Sequence, residues 1–479
     1  MRRIALLKSK LFAHQIKHVK FHAAKRKSGD WSDCGTGKSL TALAKFRLLY
    51  HAKVATKLLI VCPLSVLECW ASEIEKHTDF TYIKLIGDVD SKLKSLKQNK
   101  HIYLITYDAI AGRGGGLGIV WNALIRKKFG MVVCDEITNI KNFRARRTKA
   151  LALLCEEIQY SIFLSGTPIT KHVEDIFTIY RIMDDGDTFG KNIFSAKHTY
   201  LKNIGYIYPN WVIRQEKLEE LRDKLYKNAV RVKKDECLDL PPKIWLPRFC
   251  YLSQEQQELY RDIANNILED LEVGTSGKTM SIHGALDKMG KLSQIIDGFV
   301  YANEGTQLLT QNPKLEVLRE VIQEIPQEEK IIIYARWRED LRLIGTFLQA
   351  SGIPFSIMHG NLSAKQRKEQ VLSFIQKKEV RVFLSQIETG GFGLTLIQAS
   401  NIIYFSLSFS LVFFLQSQDR IHRIGQTKSC RYFILMGKDS IDEYVWETLQ
   451  KGIELSKALI DENRVTRLKE YLTKIGGSQ

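Results

Sequence analysis

Short apolar runs separated by longer stretches with one polar face set the rhythm of residues 1–180: Lys57 to Cys62, Ile102 to Thr106, Met131 to Cys134 and Ser161 to Leu164. Each is four to six residues long and bounded by polar or turn-forming positions, the pattern of a strand buried on both faces. A helix is predicted at Leu67 to His77, and strands alternating with helices predict a doubly wound parallel sheet. From 181 to 312 the pattern changes to long amphipathic stretches such as Glu216 to Val232 and Gln254 to Leu271, broken at Pro241-Pro242 and Gly274 to Gly277. That segment reads as mainly helical. The strand rhythm returns in 313–479 with Lys330 to Tyr334, Phe355 to Met358, Val380 to Ser385, Asn401 to Phe405 and Arg431 to Met436. The expected fold class is therefore α/β, with sheet domains at 1–180 and 313–479 and helical material at 181–312.

Candidate chemistry enters at Asp33-Cys34-Gly35-Thr36-Gly37-Lys38-Ser39, just before the helix-like run Leu40 to Leu49. Gly35, Thr36 and Gly37 can turn backbone N–H groups onto a polyphosphate, Lys38 can reach the β- and γ-phosphates, and the Ser39 hydroxyl can join a Mg²⁺ shell. A following helix aims its positive end at the same anion. The glycine expected earlier in a full phosphate loop is missing, so the string needs a partner acid. Asp135 and Glu136 supply it, closing the apolar run Met131 to Cys134. There Asp135 can hold Mg²⁺ through water, and Glu136 can polarise the water that attacks the γ-phosphate. Upstream, Gln15 offers an amide able to read an adenine edge. His14, His18 and His22 recur at helical spacing; with no acid or cysteine beside them in sequence, they read as a solvated or phosphate-facing face rather than a metal site.

Charge adds a partner. Lys and Arg outnumber Asp and Glu by 71 to 53, a formal net charge of +18 over 479 residues, which points to a polyanion and to nucleic acid before an anionic membrane. The eight cysteines show no CxxC spacing and read as reduced, buried thiols of a cytosolic protein. The apolar run at the start is too short for a signal peptide, and no 18-residue apolar segment occurs, so a cytoplasmic protein without a membrane span is expected. Gly112 to Gly118 lacks a lysine at phosphate-loop spacing and reads as a surface loop. The basic run Lys141, Arg144, Arg146, Arg147 and Lys149 suits a solvated helix face and a DNA contact equally.

Further strings follow in order: Cys62-Pro63-Leu64-Ser65, Ile105-Thr106-Tyr107, Asp135-Glu136-Ile137-Thr138 and Leu164-Ser165-Gly166-Thr167-Pro168. In the second half come Ile332-Ile333-Tyr334, His359-Gly360, Thr389 to Leu396, and Gln416 to Gln426 with its His422-Arg423-Ile424-Gly425-Gln426. Together they resemble the superfamily-two helicase core, Swi/Snf-like branch, from Leu11 to about Lys451. Leu218 to Leu221, Asn228 to Lys234, Leu240 to Lys243 and Leu252 to Tyr260 look like the helical protrusions of that branch. Asp419 before Arg420 is most similar to its fork-remodelling and annealing subgroup.

The resemblance implies two RecA-like lobes serving one ATP site. Lys38, Asp135 and Glu136 come from the first lobe, and Arg420 and Arg423 act as arginine fingers from the second. Gln416 is expected to fix the arginine segment and Gly393 to allow close approach beside the nucleotide. Pro63, Ser65, Thr106, Tyr107, His359, Gly360, Thr389 and Gly390 resemble the motifs that line a nucleic-acid track, holding phosphates without reading bases. The implied activity is an ATP- and Mg²⁺-dependent DNA translocase that remodels branched DNA by fork reversal or branch migration, with replication or recombination proteins as possible partners. The rivals are a translocase that strips proteins or polymerase from duplex DNA, an RNA helicase, and a nucleotide-gated clamp with little hydrolysis. No bromo-, chromo- or zinc-binding module is apparent, which favours a bacterial, archaeal or viral source. Two departures from the family pattern are visible: Thr138 stands where a histidine is usual in the acidic motif, and Ser406 to Ser410 replace a Trp-Asn-Pro-like turn. Thr138 carries no charge, and this puts the coupling of hydrolysis to DNA in doubt.

Overall fold

In a computed structural model of the chain, the described residues are 7–112, 118–140, 142–166, 174–203, 211–273, 282–302, 305–390, 394–452, 468 and 470–473. The chain divides into two units, Met1–Asp239 and Leu240–Gln479. The segment expected to be a helical block, 181–312, is shared between them, and each unit takes an edge strand from it.

The first unit is built on strands β1 (Lys27–Asp30), β2 (Leu58–Cys62), β3 (Tyr82–Lys84), β4 (Ile102–Thr106), β5 (Met131–Asp135), β6 (Tyr160–Leu164) and β7 (Ala229–Val230). They lie in the order β3-β4-β2-β5-β6-β1-β7, and every pairing is parallel. All five residues of β2 are fully buried. Leu59 and Val61 pack into one core with Tyr103, Val132 and Phe163, while their alternates Leu58, Ile60, Met131 and Val133 are equally buried. Side chains alternate across a strand, so both faces of this sheet are covered.

The second unit repeats the scheme with β8 (Lys243–Cys250), β9 (Lys330–Ala335), β10 (Phe355–Met358), β11 (Val382–Gln386), β12 (Ala399–Tyr404) and β13 (Cys430–Gly437). These pair in parallel in the order β8-β13-β12-β9-β11-β10. Ile332, Tyr334, Phe383, Ile402 and Tyr432 enter one core; Ile331, Ile333, Leu384, Ile403 and Phe433 enter the other. The α/β class with two parallel sheets is thus as expected.

Four strands of the two sheets, β1, β3, β7 and β8, lie outside the expected rhythm. The edge strand β8, KIWLPRFC, is half exposed and contains Pro247; an edge tolerates a residue without an N–H, and its exposure blurs the apolar run. The interior strand β1 is KSGD, with Ser28, Gly29 and Asp30 all buried. Nothing in its hydropathy marks it as a strand. Among the described residues no helix is long and apolar enough to cross a membrane.

Four helices position the site: α1 (Ala13–Ala23), α2 (Lys38–His51), α3 (Leu67–His77) and the short α4 (Tyr107–Ala111). Helix α2 carries Lys45, whose ammonium is fully buried and donates to the carbonyls of Lys25 (3.0 Å), Arg26 (3.3 Å) and Ser161 (3.4 Å). Burial pushes its pKa down from 10.5 to about 7. The unfolded chain keeps that proton up to the ordinary lysine value, so the folded state binds fewer protons above pH ~7 and gains stability as pH rises. Relative to Lys45→Met, the wild-type unfolding free energy is expected to increase by up to about 1.4 kcal/mol per pH unit from pH 7 upward. Denaturant unfolding of both proteins at pH 7, 8 and 9 checks this; parallel pH dependences would show that the buried amine is not titrating there.

Candidate active site

In a parallel sheet all carboxyl ends lie along one edge, and the expected first-unit residues leave from it. β1 runs into the glycine loop, β2 into Pro63 and Ser65, β5 into Asp135 and Glu136, and β6 into Ser165 and Gly166. Thr106 ends β4 and is half-buried, and Tyr107 opens α4. β5 and β1 are separated by β6 alone, so the acids and the glycine loop stand about 10 Å apart at the backbone.

The loop is left-handed at both glycines, Gly35 (φ 85°) and Gly37 (φ 88°), and Gly37 caps α2. A Cβ on Gly37 would fall 2.1 Å from Gln15 Nε2. Lys38 Nζ lies across the loop, donating to the carbonyls of Ser32 (2.6 Å) and Asp33 (3.1 Å). Burial alone would depress its pKa, but Cys34, Asp30, Glu136 and Asp135 together raise it, so Lys38 holds its proton. Gly166 closes the loop from β6, since a Cβ there would meet Cys34 Sγ at 2.8 Å and Lys38 Nζ at 3.9 Å. Ser39 is in the first turn of α2. An ammonium, a hydroxyl, a helix N-terminus and two carboxylates around a cradle floored by glycine fit a Mg²⁺-bound polyphosphate.

Asp135 is held from three sides. Trp70 Nε1 donates to its Oδ2 at 2.8 Å, the Glu136 N–H to its Oδ1 at 2.9 Å, and the Tyr107 hydroxyl to its main-chain oxygen at 2.6 Å. Burial raises the pKa of this carboxyl against the opposing pull of Trp70, Lys38 and the Glu136 N–H. Glu136 adopts φ 51°, a left-handed conformation that an L-residue holds only under constraint. Asn139 supplies that constraint by donating twice to the Glu136 carbonyl, from its side chain at 2.8 Å and its backbone at 3.0 Å.

Helix α1 differs from the expected solvated face. His14 Nε2 and Gln15 Nε2 both reach the Thr36 carbonyl, at 2.9 and 3.1 Å. His18 Nδ1 lies 3.2 Å from Asp30 Oδ2, His22 Nε2 is 3.5 Å from the same oxygen, and His22 Nδ1 is 2.9 Å from Ser28 Oγ. Asp30 is the acid that joins the series in space, and the two imidazoles outweigh its burial and lower its pKa. The i, i+4, i+8 histidines were the available signal, read without their partner strand. Among the described residues no group of three His, Cys, Asp or Glu side chains has the geometry for a metal ion. Gln15 uses one donor and one acceptor on Thr36 and on the Phe12 N–H, which leaves its amide one of each.

Tyr107 also differs from expectation: its side chain is buried, with its hydroxyl on Asp135, so its ring serves the acidic motif and only its backbone remains for a phosphate. Pro63 is half-buried beside the exposed Leu64, and Ser65 lies in the turn Leu64–Val66.

In the second unit, Arg420 and Arg423 converge on one carbonyl, that of Leu394, with Nη1 at 3.3 and 3.5 Å. Gln426 fastens their loop to the Ala399 carbonyl (2.9 Å), and His422 lies 2.9 Å from the Pro241 carbonyl. Gln416 is buried on the helix Leu411–Gln418. His359 is half-buried after β10, and Gly360 is exposed. Thr389 and Gly390 close the helical turn Ile387–Gly390. Gly393 lies outside the described residues, as do Lys141, Thr167, Pro168 and most of the Gly112 to Gly118 stretch. The serine-rich turn has a structural role here: Ser406 Oγ accepts from the Arg336 N–H at 2.8 Å and donates to Asp340, while the Arg336 guanidinium lies 3.5 Å from the Phe409 ring centre.

A left-handed glycine loop opening a helix, faced by two acids on a parallel strand and followed by a second parallel-sheet unit with paired arginines, defines the class of two-unit phosphate-loop proteins. Residues 14–298 match the SNF2-related domain and 313–425 the helicase conserved C-terminal domain. The first match alone covers more than half of the chain, which belongs to the SNF2-related family. It is similar to the chromodomain-helicase-DNA-binding protein 1-like of Danio rerio, 24% identical over 464 residues, 93% of this chain and 43% of that protein. The putative ATP-dependent helicase/translocase YwqA of Bacillus subtilis (strain 168) is 26% identical over 452 residues, 91% of this chain and 47% of that one. The chain spans less than half the length of these relatives. A solved Sulfolobus solfataricus SWI2/SNF2 ATPase core in complex with dsDNA aligns over 97% of both chains at 23% identity, with a TM-score of 0.44.

Gly37→Ala is expected to fold but to lower nucleotide affinity at least about tenfold, since its left-handed backbone alone costs an L-residue roughly 1–2 kcal/mol. Gln15→Ala removes the side chain a Cβ would strike. The double variant is expected to stay weak because the backbone constraint remains. Titration with a fluorescent nucleotide checks both, and full recovery in the double variant would show that crowding alone is at fault.

Proposed function

We propose that the chain is a DNA-dependent ATPase that moves along duplex or branched DNA, with fork reversal or branch migration as its output. The observation that carries the proposal is the left-handed glycine loop opening α2 at Lys38, with Asp135 and the constrained Glu136 two strands away at the same edge of the sheet. In this reading the N–H groups of Gly35, Thr36 and Gly37 and the Lys38 ammonium bind the β- and γ-phosphates of ATP, with the spare donor and acceptor of Gln15 available to the adenine edge. Mg²⁺ held by Ser39 and Asp135 supplies charge neutralisation at the transferred phosphoryl group. Glu136, fixed by its constrained backbone, orients and polarises the attacking water. Arg420 and Arg423 bring planar guanidinium charge to the γ-phosphate in the transition state, with Gln416 and Gly393 shaping their approach.

Pro63, Ser65, Thr106, His359, Gly360, Thr389, Gly390 and the Tyr107 backbone are proposed to hold DNA phosphates, which gives sequence-independent binding supported by the +18 charge. The functional divisions in this reading are 1–180, 181–312 and 313–479, the middle one comprising the mainly helical protrusions and interlobe linker besides the edge strands β7 and β8. Similarity to a putative ATP-dependent helicase/translocase supports ATP-dependent helicase or translocase action. Placement in the fork-remodelling subgroup rests on Asp419-Arg420 and the HRIGQ string, with replication or recombination proteins as partners.

The test is ATP turnover against linear, forked and four-way DNA, with Lys38→Ala and Glu136→Gln as site variants. Branched DNA is expected to stimulate most, Lys38→Ala to lose nucleotide binding, and Glu136→Gln to bind ATP yet turn over at least about 10²-fold more slowly. Equal stimulation by linear DNA favours the protein-displacing translocase. Wild-type turnover in Glu136→Gln would remove its assigned role.

A further inference from the structure

We propose that Trp70 and Tyr107 are positioning residues that couple the nucleic-acid-facing segments of the first unit to Asp135. This rests on the function proposed above and adds the path by which DNA reaches the ATP site. In sheet order β4, β2 and β5 are neighbours, and the register pairs Cys62 with Thr106 and Val61 with Cys134. Asp135 is therefore level with Cys62 and Thr106, the last residues of β2 and β4. The segment after β2 has an outer and an inner side: Leu64 is 66% exposed next to Pro63, whereas Trp70, in the second turn of α3, is 1% exposed and points its indole N–H at Asp135 Oδ2. The segment after β4 is built likewise. Thr106 is half-buried, and Tyr107, 3% exposed, places its hydroxyl on the Asp135 carbonyl.

Two adjacent exits thus each send one buried donor to the same acid, one to its carboxylate and one to its backbone. Such bonds weaken steeply with distance and angle, and the surrounding low dielectric makes them strong when formed. A shift of under 1 Å in either exit on binding a phosphate backbone must be followed by Asp135 or break a bond. The acidic motif itself has Thr138, an uncharged residue, where the family pattern usually has a histidine. The indole and the phenol supply a route that does not need it.

The experiment compares wild type with Trp70→Phe, Tyr107→Phe and, as control, Trp121→Phe, which loses a part-buried indole bond to the Ala150 carbonyl and none to Asp135. Two quantities are read: the ratio of ATP turnover with saturating duplex DNA to that without, and the Mg²⁺ concentration that half-saturates binding of a fluorescent ATP analogue. Trp70→Phe and Tyr107→Phe are expected to lower the DNA ratio about tenfold, equivalent to roughly 1.4 kcal/mol. Trp70→Phe is also expected to raise the half-saturating Mg²⁺, and Trp121→Phe to change neither. Tyr107→Phe removes one oxygen atom, so the proposal stays testable if Trp70→Phe folds poorly. A stimulated wild type whose two variants are stimulated equally overturns this proposal alone. A wild type that DNA does not stimulate removes the proposed function and this coupling with it.

Discussion

The buried carboxylate of Asp30 is the contact on which the nucleotide loop depends. β1 has no large apolar side chain, yet it lies between β6 and β7 and delivers the chain directly into the loop. Hydrophobic burial cannot hold such a strand. Its place is secured by polar satisfaction: Asp30 takes the His18 imidazole, the Ser32 N–H and the close approach of His22, and His22 in turn meets Ser28. An unpaired buried carboxylate would cost several kcal/mol, so helix α1 and strand β1 require each other. The same helix face ends at His14 and Gln15 on the Thr36 carbonyl. A single seam therefore runs from the sheet interior to the loop that is to hold phosphate.

Asp135 is treated in the same way on the opposite side of the cradle. Its strand is ordinary, four apolar residues buried on both faces, but its side chain and carbonyl are clamped by residues from the exits of β2 and β4. The protein thus fixes both walls of the candidate site through buried polar bonds and leaves hydrophobic packing to the sheet behind them. Lys38 connects the walls electrically: burial would lower its pKa, and Cys34, Asp30, Glu136 and Asp135 raise it.

This division explains what could be read from the chain. Helix α3 and strands β4 and β10 have the limits that periodicity predicts, because their signal is apolar side-chain spacing and their role is to fill a core. The glycine loop and the Asp135-Glu136 pair were legible because phosphate chemistry restricts residue type at fixed spacing. β1 was hidden because its stabilisation comes from partners on another element, and β8 because an edge strand with a proline carries half the usual pattern. Tyr107 was expected on the track, and Trp70 fell inside the helix Leu67 to His77 without a role of its own; only geometry reveals that each donates to Asp135. The serine turn at Ser406 to Ser410, without an evident consequence in sequence, proves to organise Arg336 and Asp340.

In the proposed function, hydrolysis by the first unit's loop and acids requires the arginines of the second. This requirement is tested most directly by the steady-state ATP turnover of Arg423→Ala, measured alongside its affinity for ATP. Because a guanidinium acts mainly on charge that develops in the transition state, the account predicts affinity within a few-fold of wild type and turnover lower by about 10³ or more. Turnover close to wild type would contradict it.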